Sequence, residues 1–141
     1  MTIKKFTIAV VVAFIISNIL NTIYYAVTAA GHVWEMTKAE PNYPLLMLNH
    51  LVFVLLLAYV YPIGYKGGSP IAEGARFGAL MGLIMFVPTG LVVRAAWEVP
   101  ITPYFLADIV FHTLATAIMG ISIAFVYGRE DQLSDKPAIA A

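Results

Sequence analysis

An all-α integral membrane bundle of four transmembrane helices, both termini cytoplasmic, is the fold this sequence predicts. Three observations carry that reading. The 141 residues are 61% hydrophobic and only 11% charged, where a soluble domain runs about 25% charged. Mean hydropathy is +0.86, more apolar surface than a soluble core of this length absorbs. The apolar residues fall into four blocks, each of the roughly 20 residues a spanning helix needs. A closed β-barrel is the other way to cross a bilayer, but the blocks lack the dyad alternation of barrel strands.

The first span is expected over 6–29. Lys4 and Lys5 precede it, as in a secretory leader, but the apolar run exceeds the about 7–15 residues of a leader's apolar region. The second is expected over 44–63, the third over 71–93 and the fourth over 103–127, together a 1–127 transmembrane domain. Between the second and third lies Gly64-Tyr65-Lys66-Gly67-Gly68-Ser69-Pro70, a tight turn in which Ser69 caps the third helix and Pro70 opens it. Polar loops over 31–43 and 94–102 join the other pairs, and residues 128–141 read as a disordered cytoplasmic tail.

Basic residues set the orientation. With both termini inside, Lys4, Lys5, Lys66, Arg76, Arg129 and Lys136 are cytoplasmic, and only Lys38 and Arg94 are outside. Tyr24, Tyr25, Tyr43, Tyr104 and Trp97 then form an outer aromatic belt; Tyr61, Tyr65 and Tyr127 form an inner one.

Composition also excludes. The chain has no cysteine, which removes disulfides, iron–sulfur clusters and thiolate chemistry. Its eight basic residues are scattered, so no nucleic-acid footprint exists. Ser17, Ser69, Ser122 and Ser134 lack a neighbouring base, and there is no phosphate-binding loop. A non-catalytic protein is the expectation.

The sharpest functional signal is Asp108 with His112, four residues apart inside the fourth apolar block. Ionisable groups are costly in a membrane and mark functional sites by default, and i, i+4 residues share a helix face. At 1.5 Å per residue, Asp108 lies roughly 8 Å and His112 roughly 14 Å below the outer end. His50, beside Asn49, lies roughly 9 Å down, and Asn21 and Asn18 roughly 12 and 16 Å. Three helices thus put polar groups in the outer half. The expected site is an outward-facing polar pocket of Asn18, Asn21, Asn49, His50, Asp108, His112 and Thr116, with Thr113 beside it and Arg94 leaning over it.

Three chemistries compete there. Asp108 and His112 suit a proton-coupled transporter. His50, Asp108 and His112 suit a divalent metal, and His50 with His112 could serve as axial ligands of haem in a redox protein; neither cofactor is required. The structural alternative is hydrogen bonding between membrane helices. His32, Glu35, Glu40 and Glu98 read as solvated loop residues.

The third span carries Gly74, Gly78 and Gly82 at four-residue spacing, and the fourth matches it with Thr116, Gly120 and Ala124. Such rows let backbones approach closely. They predict packing of these two helices on each other or an oligomer face. Pro88 and Gly90 predict a kink in the third helix, and Glu73 with Arg76 an i, i+3 pair at its inner end.

The stretch 66–88, a short turn followed by Glu73-Gly74-Ala75-Arg76-Phe77-Gly78 and an apolar run, resembles a group of small bacterial four-helix membrane proteins of unknown function. That resemblance implies four spans in a bacterial inner membrane and no particular activity. The leading expectation is a small integral membrane protein in the lipid bilayer, self-associating as a homo-oligomer or serving as a subunit of a larger membrane complex. The transporter and the metal or haem protein are its rivals.

Overall fold

A computed structural model describes residues 2–28, 42–66, 68–96, 101 and 103–134. The loop residues His32, Glu35, Lys38, Glu40, Trp97 and Glu98 and the tail from 135 lie outside them. The fold is all-α: α1 (Ile3–Thr28), α2 (Tyr43–Gly64), α3 (Pro70–Ala96) and α4 (Pro103–Ser134). Each is long and apolar enough to cross a membrane, α4 doing so over Pro103–Gly128. The chain is a multi-pass membrane protein.

Local chemistry sets the boundaries. Asn42 caps α2, its side chain accepting from the Leu45 amide at 3.1 Å ahead of Pro44. Ser69 caps α3, Oγ accepting from the Ala72 amide at 3.2 Å. Gly128 (φ 71°, ψ 170°) breaks α4, a left-handed conformation that favours glycine. The chain does not become a structureless tail there; it resumes helix to Ser134.

Cross-helix contacts fix the topology. Lys5 Nζ donates to the Tyr127 carbonyl at 3.3 Å, and Tyr24 meets Asp108, so α1 and α4 are antiparallel. The Tyr127 hydroxyl donates to the Ala58 carbonyl at 2.8 Å, so α2 runs with α4. Gly74 faces Gly120 and Gly82 faces Thr113, so α3 runs against α4. The helices alternate up and down. One end, the terminal half, holds the start of α1, the α2–α3 turn and Tyr127; the other, the loop half, holds the remaining two connections. Among the described residues the α4 backbone approaches all three other helices, whereas no Cα of α1 comes within 8 Å of one of α3.

The α3–α4 seam is the tightest. A Cβ on Gly74 would lie 2.6 Å from the Gly120 carbonyl oxygen, one on Gly78 would collide with the Thr116 carbonyl, and one on Gly82 would lie 2.9 Å from Thr113 Cα. Gly120 returns the contact against the Gly74 carbonyl. Without a hydrophobic drive in lipid, such backbone contact must supply the attraction.

The core lies in the terminal half. Ala9, Ala13 and Ser17 of α1, Val54, Leu57, Ala58 and Tyr61 of α2 and Met119, Ile123, Ala124 and Tyr127 of α4 are buried together. Tyr61 is its hub, stacked on Tyr127 (centroids 5.9 Å apart) and edge-on to Phe77 (5.1 Å). At the turn, buried Glu73 binds Arg76 at 2.7 Å and accepts from the Lys66 amide at 3.3 Å.

Candidate functional site: a polar cluster in the loop half

The loop half is built differently. From 42 to 52, α2 is exposed on every side except at half-buried His50. Leu45, Leu46, Met47 and Leu48, which point in four directions around the helix, are 40–61% exposed. This segment stands away from its neighbours. α1 beyond Ser17 has no buried residue.

Into this looser half project the polar side chains. Asp108, on the second turn of α4, accepts a hydrogen bond through Oδ1 from the Tyr24 hydroxyl of α1. Tyr24 is placed by its ring, stacked on Phe111 with centroids 3.9 Å apart and planes at 7°. Tyr25 meets Tyr24 edge-on at 5.3 Å. The sequence reading put both tyrosines in an outer belt; the structure draws Tyr24 into the cluster. A tyrosine one to two turns beyond Asn21 and Asn18 on α1 was the available signal.

His112 does not reach the Asp108 carboxylate. Its Nδ1 donates to the Asp108 backbone carbonyl at 2.7 Å, the i−4 acceptor directly above it on the helix. Phe86 of α3 lies against the imidazole, centroids 4.2 Å apart. The carbonyl of His112 accepts from Thr116 Oγ1 at 2.6 Å.

His50 is tied to α1. Its Nδ1 lies 3.2 Å from Asn18 Oδ1, while Asn18 Nδ2 donates to the Phe14 carbonyl at 2.8 Å. That second bond fixes the amide: oxygen faces the imidazole, so His50 Nδ1 carries the proton. Asn21 Nδ2 donates to the Ser17 carbonyl at 2.8 Å.

The expected pocket residues therefore divide. Asn18 meets His50 between α1 and α2, while Tyr24 meets Asp108 between α1 and α4 with His112 edge-on to the Tyr24 ring. Asn21 and Thr116 flank them through backbone bonds, and Thr113 Oγ1 is buried without a hydrogen-bond partner among the described residues. Asn49 is exposed and points away, because on α2 the neighbour of an inward-facing residue lies about 100° around the helix. Arg94 donates from Nη1 to the Gly90 carbonyl at 3.1 Å and lies over the Phe105 ring, 3.7 Å from its centroid. The metal expectation is corrected: among the described residues no three His, Asp or Glu side chains, His50, Asp108 and His112 included, group as ligands for one ion. Both candidate haem ligands, His50 and His112, hold Nδ1 engaged, and neither Nε2 has a hydrogen-bond partner among the described residues.

The site thus offers one membrane-embedded carboxyl group, two imidazoles that each donate from Nδ1, and aromatic rings on three helices. No protein-family model, curated protein or solved structure matches the chain.

Proposed function

We propose that this membrane protein is a small non-catalytic carrier that couples solute movement to protonation of Asp108. The observation that carries the reading is the Tyr24–Asp108 hydrogen bond between α1 and α4, placed in the loosely packed half of the bundle. An ionisable residue within a membrane span costs free energy, up to about 2.5–3.5 kcal/mol at the bilayer centre, and is retained for a reason. Spanning two helices, the Asp108 bond to tyrosine ties its protonation to their separation. The packed tyrosines and glycine seam of the terminal half support a closed inner end. Basic residues at that end, Lys4, Lys5, Lys66 and Arg76, support cytoplasmic termini and placement in a bacterial inner (plasma) membrane, so the cluster opens outward.

The test is difference infrared spectroscopy of the purified chain in liposomes as external pH is stepped. A protonated-carboxyl band should appear on acidification, vanish in Asp108→Asn and shift in Tyr24→Phe. A spectrum in which Asp108→Asn removes no pH-dependent carboxyl band overturns the reading.

A second reading, self-association or service as a small subunit, rests on the bare loop-half segment of α2. The α3 glycine row is occupied by α4 within the chain, so a partner would seat on α2. Leu46→Cys should then cross-link to a second copy or to a co-purifying partner in native membranes. A monomeric Leu46→Cys with no adduct counts against it.

A further inference from the structure

Asn49 is a polar side chain that the candidate site leaves unexplained. It sits about two turns into α2, exposed on the outside of a membrane span. Asn18 and Asn21 each donate to a carbonyl one turn back, and Asn42 caps α2. Among the described residues the Asn49 side-chain amide has no hydrogen-bond partner. It is too short to reach the headgroups as lysine and arginine do. In the single chain it faces lipid, and hydrocarbon has no group that satisfies an amide.

Asn49 also belongs to a row. Leu45, Asn49, Val52, Leu56, Tyr59 and Ile63 follow one another at alternating steps of four and three residues. That is the spacing of a coiled-coil seam, in which Asn49 takes an a position. Asn49 is exposed and the apolar members are 46–74% exposed, so the row lies open from one end of α2 to the other. Its apolar members alone give no reason to pair, because lipid solvates them as well as a helix does. The amide supplies the reason, and a single asparagine at an a position fixes register and partner number.

The same amide selects the partner. It carries donors and an acceptor together, so two such amides satisfy each other. Copies of one chain share one orientation in the membrane. Their α2 helices therefore run parallel, with Asn49 at one depth in both. A two-fold axis along the membrane normal sets each residue of the row against its own counterpart. A different protein would have to bring a polar group to that depth; a second copy already has one. α2 holds no Asp, Glu, Lys or Arg, so like charges do not oppose the pairing.

Resting on the second reading above, we infer that two copies of this chain pair through the exposed row of α2, their Asn49 amides hydrogen bonding to each other across a two-fold axis. The glycine seam stays within each copy, where α4 fills it. His50 stays turned toward Asn18 of its own chain.

The experiment is energy transfer between donor- and acceptor-labelled full chains in liposomes, diluted with lipid to give a dissociation constant. The unmutated chain should pair saturably. Asn49→Leu should weaken pairing by about 3-fold to 30-fold, the range for one hydrogen bond between membrane helices. Asn49→Gln, which keeps the amide, should lose less. A second readout leaves Asn49 in place. In this cysteine-free chain, Val52→Cys and Leu56→Cys should form disulfide-linked dimers with an added oxidant, whereas Met47→Cys, on the opposite side of α2, should not. Equal cross-linking at all three positions overturns the inference, because it reports random collision. If the chain pairs and Asn49→Leu leaves the dissociation constant unchanged, the amide pair falls while self-association stands. If the unmutated chain is monomeric but Leu46→Cys still cross-links to a different co-purifying protein, the second copy falls and the subunit reading stands. If neither pairing nor an adduct is found, both fall.

Discussion

The two halves of this bundle are made from the same four helices and the same kind of apolar residue, yet one packs and the other stands open. The terminal half brings small residues face to face: Ala9, Ala13 and Ser17 on α1, Ala58 on α2, Gly74, Gly78 and Gly82 on α3, Ala115, Gly120 and Ala124 on α4, all buried. The loop half of α2 reads Leu45-Leu46-Met47-Leu48-Asn49 and then His50-Leu51-Val52, without a small residue. Lipid solvates leucine as well as another helix does, so large apolar side chains give no reason to associate. Close approach of backbones does. The comparison teaches that in this chain small residues decide where helices meet, and polar residues gather where they do not.

The strongest way to break the contrast is to put a side chain into the glycine seam. Gly78→Ala places a Cβ against the Thr116 carbonyl, which belongs to backbone and cannot swing aside. We expect a loss of about 1–3 kcal/mol, the range for overpacking, read as a lowered unfolding midpoint in a detergent titration of the purified protein. Gly90→Ala sharpens the comparison. Its Cβ would meet the ring of Phe105, the far end of a side chain rather than backbone, so the loss should be smaller. Equal losses at the two positions would mean that both halves are packed alike.

Next in size is Tyr127→Phe, which removes the hydroxyl donated to the Ala58 carbonyl inside the tyrosine stack. A buried hydrogen bond contributes about 0.5–1.5 kcal/mol, and the same unfolding titration should show a loss in that range. Tyr24→Phe makes the matching change in the loop half. Interhelical side-chain bonds in membranes average about 0.6 kcal/mol, and a half-buried Asp108 regains water when it loses its donor. Its stability loss should fall below that of Tyr127→Phe, although it shifts the carboxyl band described above.

How much of this was legible beforehand follows from what a membrane helix reveals about itself. Span positions were open to reading, because length and apolarity suffice. Ser69 and Pro70 announced the start of α3, and the α3 glycines stood out by their spacing. The rotation of each helix was not readable, since a helix apolar on all sides has no moment to orient it. That is why Asn49 and His50, adjacent in sequence, looked equally inward, and why Tyr24 passed for a belt residue. The α1 row of Ala9, Ala13 and Ser17 escaped notice although its four-residue spacing matches that of the α3 glycines; two alanines among valines and isoleucines are a faint signal beside three glycines. Which atom of Asp108 His112 meets was not readable either, because i, i+4 spacing brings its ring to the backbone carbonyl as readily as to the side chain.

The smallest effect expected on stability is also the most direct probe of where the two halves divide. The chain has no cysteine, so single cysteines can be placed without altering a background. Asn21→Cys and Asn49→Cys lie in the loop half, one beside the polar cluster and one on the outer surface of α2; Ala13→Cys and Ala124→Cys lie in the packed half, each 0% exposed as alanine. The two asparagine replacements should change stability by no more than about 0.5 kcal/mol, as surface substitutions do. A membrane-impermeant maleimide requires water at the thiol, not merely space. Asn21→Cys should react if water fills the cluster, whereas Asn49→Cys, facing lipid, should not, and neither alanine position should react before unfolding. Labelling of Asn49→Cys alone would turn the cluster dry and put the water on the outside of α2, which leaves Asp108 no aqueous route for its proton. Labelling of Asn21→Cys alone would mean that the open half of this bundle is open inward, toward Asp108, and closed to water on its lipid face.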